Sequence, residues 1–162
     1  FFRGNKNNVA KRFLDCSLEM KIDYAVRING DNIFTDPSII TKMLNIARSN
    51  KWIFITNVLK RTFPEGISVE IIKVSHLKER IAFFDKYEQE HVMPYFYRNL
   101  IEDEIFNYYN TGKDLSAFKL ALDTKKDFLF LSSICDLMEK PHSAYYTDDI
   151  INIIKVNKLS HE

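Results

Sequence analysis

Two aspartates stand where a carboxylate could hold a metal ion. Asp31 follows Gly30 at the end of a strand-like run, and Asp123 ends a second such run at residues 118–123. Open α/β sheets bind ligands at the carboxyl edge of their strands, so neighbouring parallel strands would bring both carboxylates together. Mg²⁺ prefers hard oxygen ligands and usually keeps several waters. We therefore expect Asp31 and Asp123 to form a catalytic pair that binds Mg²⁺.

Each aspartate taken alone also has a structural interpretation. Asp31 is then a turn residue after Gly30, and Asp123 is the neighbour of a helix cap at Thr124. Aspartate is favoured in turns and caps because its carboxylate hydrogen-bonds nearby backbone groups. The hypothesis of a metal site therefore depends on the two residues meeting in the fold.

Alternating helix and strand patterns would position these aspartates. Alternating apolar residues and short apolar runs predict strands at residues 23–29, 52–58, 67–74 and 118–123. Apolar residues at helical spacing predict helices between them. These helices are expected to begin at Asn7 or Asn8, Asp36-Pro37, Ser75, Tyr87, a Thr124 capping box with Asp127, and Thr147, with a break at Pro94 in the stretch 87–100.

This order of elements predicts the fold class. Strands that alternate with helices of ten to fifteen residues are typical of βαβ units and a parallel sheet covered on both faces. We expect an α/β protein with three αβα layers and a mainly parallel sheet. Residues 1–162 would form a single domain, because neither a low-complexity linker nor an internal repeat interrupts the pattern.

Composition and charge restrict the partners. The 162 residues are 46% hydrophobic and 28% charged, which is a globular balance, and the formal net charge of +1 provides no global field for nucleic acid. No apolar run approaches a membrane span, and no signal peptide is recognised, so we expect a cytoplasmic protein without membrane insertion. Cys16 and Cys135 lack metal or disulfide spacing and are expected to be buried thiols.

Five short motifs occur in a fixed order along the chain. They are Arg3-Gly4 with Arg12-Phe13, Arg27 to Asp31 with Asp36-Pro37, Phe63 to Glu70, Glu90 to Tyr95, and Leu122 to Thr124 with Asp127-Phe128. This order resembles the cytidylyltransferase family of spore-coat polysaccharide biosynthesis. That family belongs with the acylneuraminate and 3-deoxy-manno-octulosonate cytidylyltransferases, which charge sugars with CMP from CTP. The resemblance covers nearly the whole chain.

The resemblance implies a nucleotide-diphospho-sugar-transferase-like fold and Mg²⁺-dependent transfer at the α-phosphate of CTP to a sugar. The residues at the positions of Asp31 and Asp123 would hold the metal. The family also tends to dimerise, so a homodimer is expected. The motif positions suggest substrate contacts by Arg3, Arg12, Arg27, Gly66, Glu70 and His91. For the arginines a solvated surface position is the alternative, and for His91 a hydrogen-bonded structural role.

One departure from the family concerns the phosphates. Related enzymes begin with a strand and a basic, glycine-containing loop that cradles the triphosphate. The four glycines of this chain, at positions 4, 30, 66 and 112, form no such loop. We therefore expect the chain to be the carboxyl-terminal portion of an amino-terminally truncated domain, with weak activity or none when alone.

Three functional hypotheses follow. The first is a Mg²⁺-dependent cytidylyltransferase, and upstream sequence with a basic loop would favour it. The second is a metal-dependent glycosyltransferase-like relative, which binding of an intact nucleotide sugar without pyrophosphate formation would favour. The third is a non-catalytic dimerisation or assembly module, built on the sheet and the aromatic residues Tyr95 to Tyr97.

Overall fold

The structure is a computed structural model that describes residues 1–161. Within that part of the chain, seven α-helices and four strands form an α/β fold, as predicted. In chain order the elements are α1 Val9–Glu19, β1 Tyr24–Arg27, α2 Pro37–Ala47, β2 Phe54–Thr56, β3 Glu70–Lys73, α3 Val74–Arg80, α4 Lys86–His91, α5 Pro94–Asn99, β4 Ile105–Asn107, α6 Lys125–Cys135 and α7 Thr147–Val156.

The sheet has the strand order β1-β3-β2-β4. Strand β3 is antiparallel to both β1 and β2, whereas β4 is parallel to β2. The prediction of a mainly parallel sheet is therefore wrong in its pairing, although β1, β2 and β4 point the same way. The connection from β2 to β3 carries no helix, so the chain returns directly as an antiparallel neighbour instead of crossing over.

Helices cover both faces of the sheet, which confirms the three-layer prediction. On one face, Ile55 and Ile71 pack in a core with apolar residues of α2, α6 and α7. On the other, Ala25, Phe54 and Ile72 pack with residues of α1, α3 and α5. Consecutive residues of a strand point to opposite faces, and the pairs Phe54-Ile55 and Ile71-Ile72 divide between the two cores accordingly.

Most helix starts agree with their capping signals. Asn8 precedes α1 and its Oδ1 accepts from the backbone N–H of Lys11 at 2.8 Å. The break at Pro94 is also confirmed, because α4 ends at His91 and α5 begins at the proline. Helix α3, however, begins at Val74, so Ser75 is not its cap.

The two helices that begin at Asp36-Pro37 and Thr147 meet at their amino ends. Asp36 caps α2 as predicted, with Ser38 N donating to its Oδ1 at 2.8 Å. Thr147 is the first residue of α7 and not its cap. Its backbone N–H and its hydroxyl instead donate to Asp36 Oδ2, at 2.9 and 2.8 Å. A buried carboxylate thus joins two helices that lie more than a hundred residues apart in sequence.

One predicted strand is wrong, and one observed strand was not predicted. Residues 118–123 form only an isolated bridge, between Lys119 and Glu65, because this segment makes two backbone bonds with Glu65 and one with Asp31 instead of pairing with a continuous strand. Strand β4, Ile105–Asn107, was not predicted, since three residues are too few to show an alternation.

Two other expectations concern membranes and cysteines. In the part of the chain described, no helix has the length and apolarity needed to cross a membrane. Cys16 is half-buried, and Cys135 is exposed, so the prediction of two buried thiols is wrong. The buried stripe of α6 passes through Leu131 and Ile134, and the residue after Ile134 turns toward solvent.

Candidate functional site

The loop after β1 places Asp31 in an unusual environment. Asp31 Oδ1 is buried, and it has no hydrogen-bond partner among residues 1–161. A buried polar atom without a partner costs free energy, and the cost is greater for a charged group. Such atoms mark positions where a bound ion, water or ligand supplies the missing contact.

The backbone of Asp31 meets the segment that carries the second aspartate. Leu122 N donates to the carbonyl oxygen of Asp31 at 3.1 Å, so Asp123 is the next residue on the adjoining segment. The side chain of Asp123 is 45% exposed, and its Oδ2 lies 2.9 Å from Lys119 Nζ. The fold therefore brings the two predicted ligands onto neighbouring segments.

Asp127, in the first turn of α6, supports the segment that carries Asp123. Its side chain is only 1% exposed. Oδ2 accepts from the backbone N–H of Asp123 at 3.0 Å and from the backbone N–H and hydroxyl of Thr124 at 2.7 and 2.9 Å. Oδ2 also lies 3.0 Å from Lys119 Nζ, and Oδ1 lies 2.6 Å from His161 Nε2. This carboxylate is saturated, in contrast to that of Asp31.

The same contacts shift two pKa values. Burial alone would raise the pKa of Asp127, but the bonds from Lys119, Thr124 and His161 outweigh it and hold that pKa well below its usual range. The bonds to Asp123 and Asp127 raise the pKa of Lys119. Both groups are therefore charged at neutral pH. Sequence analysis identified Asp127 only as a capping residue and missed Lys119, whose spacing of four residues from Asp123 is its one signal.

The donor set can be compared with the needs of Mg²⁺. Among the residues described, no group of three or more His, Cys, Asp or Glu side chains is placed to hold a metal ion. Magnesium does not require such a cage, because it is usually bound by one or two carboxylates, substrate phosphates and several waters. The unpartnered oxygen of Asp31 and the accessible carboxylate of Asp123 fit that pattern.

A cleft of about 470 Å³ lies between α1 and the end of β1. Its charged residues are Arg12 and Arg27, and Asn29 and Gly30 lead from it to Asp31. Arg12 is fixed by a bond from Nη1 to the carbonyl oxygen of Asn5 at 3.0 Å. The rest of the lining is mainly apolar, with Phe2, Val9, Phe13, Cys16, Val26, Ile28 and Val92. The cleft can therefore accept a ligand that combines negative charge with apolar surface.

Arg27 and Glu70 are partners across the β1 and β3 pair. Arg27 Nη1 lies 2.7 Å from Glu70 Oε2, and the two residues are in register. Tyr97 donates from its hydroxyl to Glu70 Oε1 at 2.8 Å and lies 2.7 Å from Thr56 Oγ1. Burial and the charge of Glu70 raise the pKa of Tyr97, which stays a neutral donor. The buried Glu70 thus orients Arg27 at the cleft. Sequence analysis named Tyr97 only among the aromatic residues of an assembly module and missed its bond to Glu70.

Gly66 has a clear backbone role. Its φ is +91°, and an added Cβ would lie 2.4 Å from both Ala121 N and the carbonyl carbon of Leu120. Only glycine allows this close approach. The adjacent Glu65 makes two backbone bonds with the same segment, to Phe118 O at 2.9 Å and from Leu120 N at 2.7 Å. Gly66 therefore holds the segment that leads to Asp123.

Arg3 and His91 do not line this cleft. Arg3 is exposed and its guanidinium packs over the ring of Phe1 at 4.9 Å. His91 is exposed at the end of α4, with its ring 4.4 Å from that of Tyr87. Its neighbour Val92 is the residue of this motif that lines the cleft. Of the six predicted substrate residues, the structure brings Arg12 and Arg27 to the cleft wall.

Comparisons with known proteins show the family of the chain. The model of the cytidylyltransferase family matches residues 1–159. A cytidylyltransferase structure from Leptospira borgpetersenii superposes with a TM-score of 0.89 at 32% identity, over 97% of this chain and 66% of that one. Spore coat polysaccharide biosynthesis protein SpsF of Bacillus subtilis is 28% identical over 133 residues, and protein MJ1063 of Methanocaldococcus jannaschii is 31% identical over 130 residues.

The aligned regions cover 78% of this chain in both curated relatives, but 53% of SpsF and 52% of the archaeal protein. The chain thus spans about half the length of the curated relatives it matches. The family match extends over almost every residue, and the structural match covers 97% of the chain. The chain belongs to the cytidylyltransferase family.

Proposed function

We propose that the chain is part of a Mg²⁺-dependent nucleotidyltransferase that transfers CMP from CTP to a sugar used in surface polysaccharide biosynthesis. Membership of the cytidylyltransferase family and the similarity to SpsF support the reaction class. The observation that carries the proposal is the buried, unpartnered Oδ1 of Asp31 beside the segment of Asp123. A divalent ion would supply the contact that this oxygen lacks.

The proposed roles follow from the contacts of each residue. Asp31 and Asp123 would hold Mg²⁺, which when bound neutralises the charge that develops on the transferring phosphate. Arg12 and Arg27 would attract the anionic part of the substrate into the cleft, and Glu70 would keep Arg27 extended toward it. Phosphoryl-type transfer depends mainly on alignment and charge neutralisation, and these residues serve both needs.

The test measures pyrophosphate release by the full-length protein that contains this chain, with CTP, a panel of acidic and neutral sugars, and Mg²⁺ titrated. We expect Asp31→Asn to lower the Mg²⁺-dependent rate by roughly a hundredfold or more, because the neutral amide loses the charge that would hold the ion. Asp114→Asn is the matched control. Asp114 is an exposed turn residue whose Oδ1 accepts from Ser116 N at 2.9 Å, a role that asparagine also fills.

Two outcomes would replace this proposal. Hydrolysis or transfer of an intact nucleotide sugar, without pyrophosphate release, would favour the glycosyltransferase-like alternative. A well-folded protein that binds neither nucleotide nor divalent ion would favour the assembly module. Equal rates for wild type and Asp31→Asn would remove Asp31 from the reaction.

Two further properties belong to the same proposal. We place the protein in the cytoplasm, where CTP is available, and we propose a homodimer, since exposed apolar side chains such as Phe83, Tyr87 and Ile101 offer surface for association. Sedimentation of the purified protein tests the dimer. A monomer at micromolar concentration, with full activity, would contradict it.

A further inference from the structure

The ammonium of Lys119 lies between two carboxylates at the candidate site. Lys119 Nζ is 2.9 Å from Asp123 Oδ2 and 3.0 Å from Asp127 Oδ2. The side chain of Lys119 is 30% exposed, whereas that of Asp127 is 1% exposed. The Lys119 ammonium therefore contacts the buried carboxylate of Asp127 and the more accessible carboxylate of Asp123.

Asp127 fixes this arrangement at two points. Its Oδ2 binds the Lys119 ammonium and also accepts from the backbone N–H of Asp123. The same oxygen accepts from the backbone and hydroxyl of Thr124, so it is immobilised at the start of α6. The backbone of Asp123 and the cation that neutralises its side chain are thus held by one atom.

We propose that Lys119 is a positioning residue and built-in counter-ion for Asp123, which weakens the binding of free divalent ions at the Asp31 and Asp123 site. The inference rests on the proposed function. A cation on Asp123 would share that carboxylate with the ammonium, and two positive charges on one carboxylate repel. Substrate phosphates add the negative charge that offsets this repulsion, so the ion is bound firmly only together with the nucleotide.

Lys119 also reduces the repulsion between the carboxylates of Asp31 and Asp123, which lie on neighbouring segments, when no ion is bound. Lys119 neutralises Asp123, which leaves Asp31 as the uncompensated charge of the pair. Without the ammonium, repulsion between the two carboxylates would disfavour the pairing of Leu122 with Asp31. Lys119 thus stabilises the metal-free arrangement and competes with the metal for the same oxygen.

The experiment titrates the chain with Mn²⁺, which shares the preference of Mg²⁺ for oxygen ligands, and follows free Mn²⁺ by electron paramagnetic resonance. No nucleotide is added. We expect Lys119→Met to tighten Mn²⁺ binding by about tenfold, because one nearby positive charge is removed. Lys119→Arg should restore the wild-type dissociation constant. Adding Asp31→Asn to Lys119→Met should abolish the tightened binding.

Two variants control for structure. Lys11→Met removes the lysine of a similar i,i+4 pair, Lys11 with Asp15 at 2.6 Å, and should leave Mn²⁺ affinity unchanged. Lys119→Gln keeps a polar side chain without the charge, and it replaces Lys119→Met if thermal unfolding shows that the methionine variant is not folded. Charge removal should tighten Mn²⁺ binding in both variants of Lys119.

The outcomes separate this inference from the proposed function. Mn²⁺ binding that depends on Asp31 but is equal or weaker in the folded Lys119→Met and Lys119→Gln proteins overturns the counter-ion role and leaves the metal site intact. If neither wild type nor a Lys119 variant binds Mn²⁺ in a manner that depends on Asp31, both the counter-ion role and the metal site are overturned.

Discussion

Two aspartates of this chain, Asp31 and Asp127, have opposite hydrogen-bonding environments. Asp31 has a buried carboxylate oxygen without a partner. The carboxylate of Asp127 instead contacts the side chains of Lys119 and His161 and accepts hydrogen bonds from the backbone N–H groups of Asp123 and Thr124 and from the Thr124 hydroxyl. The first arrangement lowers stability unless a ligand completes it, and the second raises stability. The contrast separates a binding role from a structural role for the same residue type.

The comparison also explains why the neighbouring Asp123 needs both regions. Its backbone is fixed by Asp127, and its segment pairs with Asp31 through Leu122. A residue between a saturated carboxylate and an unsatisfied one can present its own side chain to a ligand while its backbone stays fixed. Substitutions of Asp31 and of Asp127 should therefore change the stability of the folded protein in opposite directions and by different amounts.

The largest effect on stability should come from a substitution at Gly66, whose backbone packs against the segment that leads to Asp123. Gly66→Ala adds a Cβ at 2.4 Å from the backbone of residues 120 and 121, at a φ of +91°. We expect a loss of about 4 kcal/mol or more in unfolding free energy, because the backbone segments must move apart. Urea unfolding measures it.

Gly30→Ala is the control for Gly66→Ala. An added Cβ at Gly30 meets no atom within 4 Å, so the substitution should change the free energy of unfolding by about 1 kcal/mol or less. Similar losses for the two alanine variants would show that the close approach of Gly66 is not what holds the segment.

The next effect concerns the saturated carboxylate. Asp127→Asn keeps the volume but removes the charge that Lys119 and His161 contact, and its amide group faces donors. We expect the melting temperature to fall by roughly 5–10 °C, because a buried charged partner is lost. Differential scanning calorimetry in metal-free buffer tests this. A melting temperature equal to that of wild type would refute the structural role.

Asp31→Asn should act in the opposite direction, by a smaller amount. The substitution removes the charge of a half-buried carboxylate whose Oδ1 is buried without a partner, so the metal-free protein should become more stable by about 1 kcal/mol. The same calorimetry measures the change. Asp114→Asn again serves as the control and should be neutral. A clear loss of stability in Asp31→Asn would show that the folded protein already compensates the Asp31 carboxylate, which contradicts its unpartnered state.

The sequence predicted local features better than long-range ones. The caps at Asn8 and Asp36, the Thr124 capping box and the break at Pro94 depend on residues within one turn of each other, and each is present. The antiparallel insertion of β3 was not predicted, because strand pairing is decided by partners far away in the sequence.

The candidate site shows the same limit. Motif positions indicated Asp31 and Asp123, but some contacts of the surrounding residues Glu70 and Asp127 come from elsewhere in the fold. Tyr97 reaches Glu70 from 27 positions away, and His161 reaches Asp127 from 34 positions away. No local pattern encodes such contacts, since they depend on how α5 and the end of the chain pack.

The smallest predicted effect is the acid dependence of the saturated region. Bonds from Lys119, Thr124 and His161 outweigh burial and lower the pKa of Asp127 in the folded protein, whereas the unfolded chain has an ordinary aspartate pKa of about 3.9. The stabilisation by this carboxylate is therefore fully present above about pH 4 and is lost as the pH falls through the folded pKa. Asp127→Asn cannot titrate, so the difference in melting temperature between wild type and variant should narrow from about pH 7 to about pH 3. A difference that stays constant over this range would show that the Asp127 carboxylate contributes nothing through its charge.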